Sequence, residues 1–305
     1  MDKLSALGMF VSTAEQGSFS RAAERLGKTP SALTKAVSHL EAELGVQLFE
    51  RSTRRTVLTE AGRLYLDTAR QVLRQLEDAG EEVAQLKHGL LGTLRLTAPL
   101  AFGRAFLDEA CAEFLACYPQ IRLHVDLCDA FVDLAEGGYD LALREGRSDQ
   151  PGLIAKPLGR NQIVLCASPA YLAANPTPVS PAHFDQHHWL NYQHPALDPH
   201  YRWLRHNGMR LRTAVPKARL ESDNHDLLLA NCLRGGGLYA APLWSLGPYL
   251  ARGELLQLMP DYDFDPDAFG PLILAVYPSH RRATRKVQAF IEHLAAFLAE
   301  RGLAP

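Results

Sequence analysis

Apolar residues recur three and four apart through most of the first ninety positions, the spacing of helices with one buried face. Leu4, Leu7, Phe10, Val11 and Ala14 form one stripe, which Gly17 interrupts. Ser18 is placed to cap a second, short helix from Phe19 to Leu26, closed by Gly27. A third helix begins at Thr29-Pro30: the threonine hydroxyl accepts from orphan N–H groups, and proline in the first turn gives up a donor that has no partner there anyway. On a helical wheel Leu33, Val37, Leu40 and Leu44 share its apolar face, and Gly45 ends it. Val46, Leu48 and Phe49 are expected to fold back onto this core, followed by an arginine-rich turn, Arg51, Ser52, Thr53, Arg54 and Arg55. From Thr59 to Gly89 no proline interrupts the chain. Ala69, Val72, Leu76, Ala79, Val83 and Leu86 alternate three and four apart there, the seam of a coiled coil. A lone helix would expose that seam, so a second copy of the chain is the expected partner.

Beyond Gly92 the period changes. Thr93 to Ala98 alternates as a strand, a helix is expected over Arg104 to Cys117, and Ile121 to Leu127 alternates again. A helical turn from Asp129 to Glu136 leads into YDLALRE, another strand. A second unit opens near Ile163 with QIVLCASPAYLAANP, passes a polar stretch around His183 to His200 and a hairpin around Trp203 to Val215, and runs to about Leu258. PLILAVYPSH then reads as a strand and Arg285 to Glu300 as a terminal amphipathic helix. Strands alternating with helices predict an α/β fold with a parallel, doubly wound sheet, whose ligands bind beyond the carboxyl ends of the strands. Two lobes joined by a double crossover would leave a cleft between them.

Composition narrows the partners. With 305 residues and 47% apolar content the chain can build more than one core, and a net charge of only -2 means that any nucleic-acid surface is local. Asp2 and Lys3 lead straight into the helical pattern, and no apolar run is long enough to span a bilayer. Five scattered cysteines without a CxxC pair fit a reducing cytoplasm and a role as small buried hydrophobes. Cys111 and Cys117 fall on different faces of one helix; a Cys128–Cys166 pair remains open. The histidines at 183, 187, 188, 194, 200 and 206 match no compact metal-site spacing. Gly235 to Gly237 follow a helix and precede a strand, the reverse of a phosphate loop, and suit a helix stop with a close backbone approach. No nucleophile elbow or acid–base pair is identifiable, so no enzyme activity is expected.

The opposite face of the third helix holds the clearest chemistry. Ser31, Thr34, Lys35 and Ser38 lie there, with Ala32 and His39 at its edges, and Glu41 and Glu43 appear only near its far end. Short hydroxylic side chains with one lysine suit close approach to a DNA groove, hydroxyls reaching phosphates or base edges. An ordinary capped surface helix would share much of this pattern. Two helices joined by a short turn, with the second polar and basic, form a helix-turn-helix arrangement.

The stretch GSFSRAAERLGKTPSALTKAVSHLEAELGVQLFERSTRRTVLTEAG resembles the winged helix-turn-helix of LysR-type transcriptional regulators. Pro30 falls where many members have glutamine, and Thr29 and Thr34 stand where serines are usual. The resemblance implies major-groove contacts from Ser31, Ala32, Thr34, Lys35 and Ser38 beside the Thr29-Pro30 start, and backbone contacts from Ser20, Arg21, Arg51, Arg54 and Arg55. EGGYDLALREG, GRNQIVLCASPAYLA, GGGLYAAP with LARGEL, and LAVYP with KVQAFIEHLAAFL are similar to the family's effector domain, itself like a type II periplasmic solute-binding protein. The implied organisation is a DNA-binding domain over 1–58, a dimerising linker helix over 59–89, and an effector-binding domain over 90–305, with lobe I about 90–162 and 268–305 and lobe II about 163–267. Double-stranded promoter DNA, a small-molecule effector, a homodimer assembling to a homotetramer and, for an activator, RNA polymerase are the implied partners. The cleft is expected to be bordered by Thr97, Ala98, Pro99 and Leu100, by Asp129 and Phe131, by the strand end Arg144 to Gly146, and by Asp223 and Asn224. Many relatives hold a small organic anion in that first turn; TAPLAF offers one hydroxyl and then apolar atoms, which favours an apolar or aromatic effector. Arg144 either supplies charge to the ligand or joins an ion pair. The competing functions are an effector-independent architectural or repressor DNA-binding protein, and a solute-binding or hydrolytic module with a degenerate DNA head.

Overall fold

The computed structural model describes residues 2–50, 56–130, 132, 134–146, 151–195, 197–198, 200–214, 218–266, 268–279 and 284–305. They divide into two compact units, Met1–Gly92 with Asp133–Gly138, and Thr93–Val132 with Tyr139–Pro305.

The first unit opens with α1 (Lys3–Gln16), α2 (Phe19–Leu26) and α3 (Pro30–Leu44). Each start is held by the side chain before it: Asp2 accepts from Leu4 and Ser5, Ser18 from Arg21, and Thr29 from Ala32. Phe10 is fully buried at the centre, with its ring 5.5 Å from Phe49. Alanines at 22, 23 and 36 are buried and small enough to let the helices close in. That close approach turns the buried face of α3 to Leu33, Ala36, Val37 and Leu40, so Leu44 is exposed rather than buried, as are Leu4 and Val46. After α3, Glu41 Oε1 accepts from Leu48 N (2.7 Å) and Phe49 N (3.2 Å), fixing the turn. Phe49 and Leu58 then pair antiparallel, and Glu50 N donates to Val57 O at 2.8 Å. The arginine-rich turn between them, with Arg51, Arg54 and Arg55, lies outside the described residues.

The long helix α4 (Glu60–His88) spans 29 residues and is capped by Thr59. Ala69 does not join an exposed seam; with Leu66 it completes the core beneath α1. The apolar residues left in solvent are Leu64, Val72, Leu76 (54% exposed) and Val83 (69% exposed), with Ala79 among them. The side chain of Leu86 lies outside the described residues.

In the second unit, β1 (Gly92–Ala98) leads into α5 (Leu100–Phe102), a π turn (Gly103–Leu107) and α6 (Asp108–Cys117), one continuous helical run that begins earlier than expected. There follow β2 (Ile121–Leu127), α7 (Leu134–Gly137), which belongs to the first unit, β3 (Leu141–Glu145) and β4 (Leu153–Arg160). The helical turn expected over 129–136 is therefore shorter and later. Next come β5 (Ile163–Ala167), α8 (Pro169–Ala174), β6 (Trp189–Tyr192), the hairpin β7 (Tyr201–His206) with β8 (Met209–Ala214), and β9 (Leu220–Ser222). The chain continues through α9 (His225–Leu233), β10 (Leu238–Pro242), α10 (Leu243–Ala251), β11 (Leu256–Leu258) and β12 (Tyr262–Phe264), and ends with β13 (Leu272–Pro278) and α11 (Arg285–Glu300).

Two five-stranded sheets result, in the orders β2-β1-β3-β13-β4 and β11-β5-β10-β6-β9, beside a smaller β12-β7-β8 sheet. Neither large sheet is all parallel. β1 runs parallel to β3, but β13 returns antiparallel to both β3 and β4. In the second sheet β10, β6 and β9 are parallel while β5 is antiparallel to β10 and β11. The physical reason is the double crossover: a chain returning to its first sheet after building another arrives from the opposite end. β4 has no counterpart in the sequence reading, because as an edge strand containing Pro157 it shows little alternation. β5 is buried on both faces, with Ile163, Leu165 and Ala167 in one cluster and Val164 and Cys166 in the other. Cys166 Sγ lies 4.0 Å from Cys232 Sγ, so the neighbour of Cys166 is Cys232 rather than Cys128.

The triple glycine explains itself here. Gly237 has φ +153, and a Cβ on it would stand 2.4 Å from His188 O, where β10 starts beside β6. Gly237→Ala should therefore destabilise the chain by about 2–3 kcal/mol, through backbone strain and a forced strand shift, while Gly8→Ala in the open interior of α1 should stabilise it by about 0.5–1 kcal/mol. Urea denaturation of both variants checks the pair; equal midpoints would refute the account.

Candidate functional site

In the first unit α3 presents its small polar face outward. Ser31, Thr34, Lys35 and Ser38 are exposed, Ala32 is half-buried at the edge, and Ser20 and Arg21 are exposed at the start of α2. Not all hydroxyls on this face are equally available. Thr29 Oγ1 accepts from Ala32 N (3.3 Å) and lies 3.1 Å from Ser31 Oγ, while the Thr34 hydroxyl donates to Pro30 O at 2.9 Å. Thr29 and Pro30 thus build the helix start, and Lys35 and Ser38 extend from its next turn. His39 lies beside Glu43 at 3.5 Å, so the positive part of the face ends there.

The second unit contains a cavity of about 100 Å³. Its walls come from both large sheets and the segments that follow their strands: Pro99, Ala101, Asp129, Arg144 and Glu145 on the side of the first, and Trp189, Tyr192, Tyr239 and Trp244 on the side of the second. Phe269 closes it from the returning crossover, and His194 and His225 contribute imidazoles. Of the residues expected at the cleft, Pro99, Asp129, Arg144 and Glu145 stand on this wall, and Gly146 does not. Thr97 and Ala98 are fully buried in β1 and do not reach it. Leu100 is absent from the wall, but its N–H donates to Asp129 Oδ1 at 2.8 Å. Asp223 and Asn224 stop short of it, because Asn224 is used as the cap of α9, accepting from Leu227 N at 2.9 Å, and the next residue, His225, faces the cavity instead. Phe131 lies outside the described residues.

The sequence reading missed the aromatic wall and the residue that positions it. Asn161, 3% exposed, donates from Nδ2 to Glu145 Oε2 and to Phe269 O, both at 3.3 Å, and its Oδ1 accepts from Trp244 Nε1 at 3.0 Å. Its backbone N–H donates to Pro271 O at 2.7 Å. Trp244 packs against the adjacent pair Phe102 and Phe106, 5.8 and 5.5 Å away. Gly146 and Gly270 meet where β3 ends and the chain returns; a Cβ on Gly270 would stand 2.8 Å from Gly146 C. Away from the cavity wall, Arg104 of the π turn forms an ion pair with Asp226 of α9, joining the two lobes.

Charges on the wall are largely neutralised from within. Arg202 pairs with Asp265 at 3.4 Å, both nearly inaccessible, and its other nitrogens reach Asn191 Oδ1 and Asp198 O. Burial nevertheless raises the Asp265 carboxyl to about 6 against the pull of Arg202. Burial also raises Glu145 to about 7, opposed by its bond from Asn161. The same desolvation lowers His194 and His225, and His225 Nδ1 lies 2.8 Å from Tyr239 Oη. Among the described residues no group of three His, Cys, Asp or Glu is arranged to hold a metal, and no helix is long and apolar enough to cross a membrane.

The model of the bacterial regulatory helix-turn-helix protein, lysR family, matches residues 4–63, and that of the LysR substrate binding domain matches residues 87–299. The chain belongs to the LysR family of transcriptional regulators. It is 31% identical over 295 residues to the HTH-type transcriptional activator TtdR of Escherichia coli, covering 97% of this chain and 93% of that one. It is 34% identical over 291 residues to the HTH-type transcriptional regulator PtxR of Pseudomonas aeruginosa, covering 95% and 91%. Among solved structures, the LysR-type regulator CrgA from Neisseria meningitidis superposes with a TM-score of 0.60 at 29% identity, covering 96% of this regulator and 98% of CrgA. The full-length virulence activator AphB of Vibrio cholerae superposes with a TM-score of 0.59 at 25% identity, covering 97% and 99%. The regulator is therefore a DNA-binding protein whose helix-turn-helix is joined to a substrate-binding domain.

Two outcomes follow from the wall. Asn161→Ala strands the Trp244 indole N–H and removes a donor from Glu145, and should cost about 2–3 kcal/mol in urea denaturation. Glu145 has its carboxyl raised from 4.5 to about 7 in the folded chain, which then binds more protons than the unfolded chain between those values. The contribution of Glu145 to stability falls as pH rises through that window. Glu145→Gln should remove the fall and exceed the native chain by on the order of 2–3 kcal/mol above pH 7, the two converging below pH 4.5. Parallel stability curves across that range would refute it.

Proposed function

We propose that this regulator reads promoter DNA with α3, pairs with a second copy through α4, and responds to a small molecule held in the aromatic-walled cavity between the two sheets. Ser31, Ala32, Thr34, Lys35 and Ser38 enter the major groove, with Thr29 and Pro30 setting the helix start there. Ser20, Arg21, Arg51, Arg54 and Arg55 engage the backbone. The exposed face of α3 supports this reading, since its polar positions are short and it has no acid before Glu41. Residues 1–58 act as the DNA head, 59–89 as the pairing helix and 90–305 as the sensor. The apolar stripe of Leu64, Val72, Leu76 and Val83 on α4 supports pairing, because a solitary helix would leave it in water. Dimers then associate to tetramers, work in the cytoplasm, and contact RNA polymerase where they activate. No catalytic reaction is assigned.

The cavity is the observation that carries the sensing function. Its walls come from both sheets, so a ligand touching both favours one lobe arrangement over others, and the spacing of the paired DNA heads changes with it. An effector-independent DNA binder has no use for such a cavity.

Duplexes selected from a random pool by the full-length chain provide the test. Lys35→Ala should weaken binding to them and reduce the salt slope by about one for each phosphate no longer neutralised. Unchanged affinity and slope would remove α3 from the interface. Leu76→Glu combined with Val83→Glu should turn a dimer into a monomer in sedimentation; a dimer that persists would place pairing elsewhere. A metabolite screen by thermal shift tests sensing, since a ligand at a hundred times its Kd adds about 2.7 kcal/mol.

A further inference from the structure

The run of helix that starts at Leu100 begins beside the cavity, with Pro99 and Ala101 on its wall, and a helix start normally suits an anion. Here an internal anion already holds it: Asp129, itself on the wall, accepts from Leu100 N at 2.8 Å. The cations of the wall are similarly engaged. Arg202 is locked to Asp265 and Asn191, and Arg144, whose Nη1 donates to Leu143 O, lies within electrostatic reach of Asp129. Burial holds both imidazoles toward their neutral forms. A ligand carboxylate would meet Asp129 and Glu145, and the wall's described cations already have internal partners. A ligand ammonium would bring a positive charge beside Arg144, and pairing it with Glu145 would require both charges to be desolvated. Either sign costs several kcal/mol to bury.

The rest of the wall is aromatic or aliphatic. Tyr192, Trp244 and Phe269 offer ring faces and edges, and Ile163, Leu190 and Pro242 fill between them. A volume of about 100 Å³ is in the range of one ring rather than two, as cavities of about 150 Å³ take up benzene. A polar group with spare accepting capacity is the Glu145 carboxylate, whose Oε2 receives one long bond at 3.3 Å from Asn161. Building on the reading of this cleft as the effector site, we propose that it selects an uncharged single-ring aromatic bearing a hydrogen-bond donor, a phenol or an arylamine, and rejects ring carboxylates. The ring lies among Tyr192, Trp244 and Phe269, its donor meets Glu145, and Asp129 acts as the excluding residue by occupying the helix start.

Titration calorimetry of the full-length protein with phenol, benzoate and benzylamine tests this, the three sharing one ring and differing in charge. Phenol should bind at least about tenfold more tightly than either ion. Asp129→Ala frees the Leu100 N–H and should raise benzoate affinity by about tenfold with phenol little changed, while Asp129→Asn, which keeps an acceptor there, should raise it less. Benzoate or benzylamine matching phenol on the native protein overturns the proposal, as does silence from phenol. A cavity-filling Ala101→Trp separates the two levels of the argument. Phenol that binds this variant undiminished refutes the cleft as the site. A screened metabolite that binds the native protein and is lost on Ala101→Trp, with phenol silent, refutes the ligand class alone.

Discussion

One buried amide fixes the sensing half of the molecule. Asn161 sits where the chain leaves its first sheet, and it bonds to the end of β3 at Glu145, to the returning crossover at Phe269 and to α10 at Trp244. All three of those partners line the cavity. A buried amide must satisfy its donors and its acceptor together, or lose most of what each bond contributes. The positions of an acid, a phenylalanine and a tryptophan are therefore set by one side chain, and the cavity inherits its shape from that requirement. The Gly146–Gly270 contact acts alongside, since no side chain can stand between the two segments there.

Around that centre the electrostatics are self-contained. Arg202 with Asp265, Asp129 with the start of α5, and Glu145 with Asn161 each meet an internal partner. Polar groups in a desolvated site contribute specificity mainly through what they refuse: a ligand that cannot replace the bonds it breaks is rejected more strongly than a fitting one is attracted. The first unit follows the opposite rule. Its outward α3 face is exposed, short and hydroxylic, which suits the proposed partner, one whose own charge supplies most of the attraction.

Much of this was legible in the sequence where local chemistry decides structure. Helix boundaries at Ser18, Gly27, Thr29 and Gly45 follow from caps and breakers, and α2 spans the expected Phe19–Leu26. The effector domain resisted wherever geometry is long-range. β4 does not alternate because it is an edge strand, and the antiparallel return of β13 is a property of the double crossover rather than of its residues. At the cleft, Pro99, Asp129, Arg144 and Glu145 were legible because strand ends and first turns border such clefts. Trp244, Tyr192 and Phe269 come from three distant segments, and only the crossover brings them together. Asn224 falls one residue short of the wall, since a cap and a wall residue are adjacent in the chain and differ in what they face.

The Arg104–Asp226 ion pair gives the molecule a separate adjustment. Both side chains are largely in water, 60% and 39% exposed, so the pair is worth no more than about 1 kcal/mol and is screened by salt. It joins the lobes without touching the cavity wall. With a ligand held between the lobes as proposed, its strength enters the equilibrium between lobe arrangements but not ligand selectivity, and apparent affinity scales with the competent fraction. For anyone building a biosensor from this scaffold, the dose–response curve has its own dial: substitutions at Arg104 or Asp226 slide the working range along the concentration axis, while the identity of the analyte stays with the cavity.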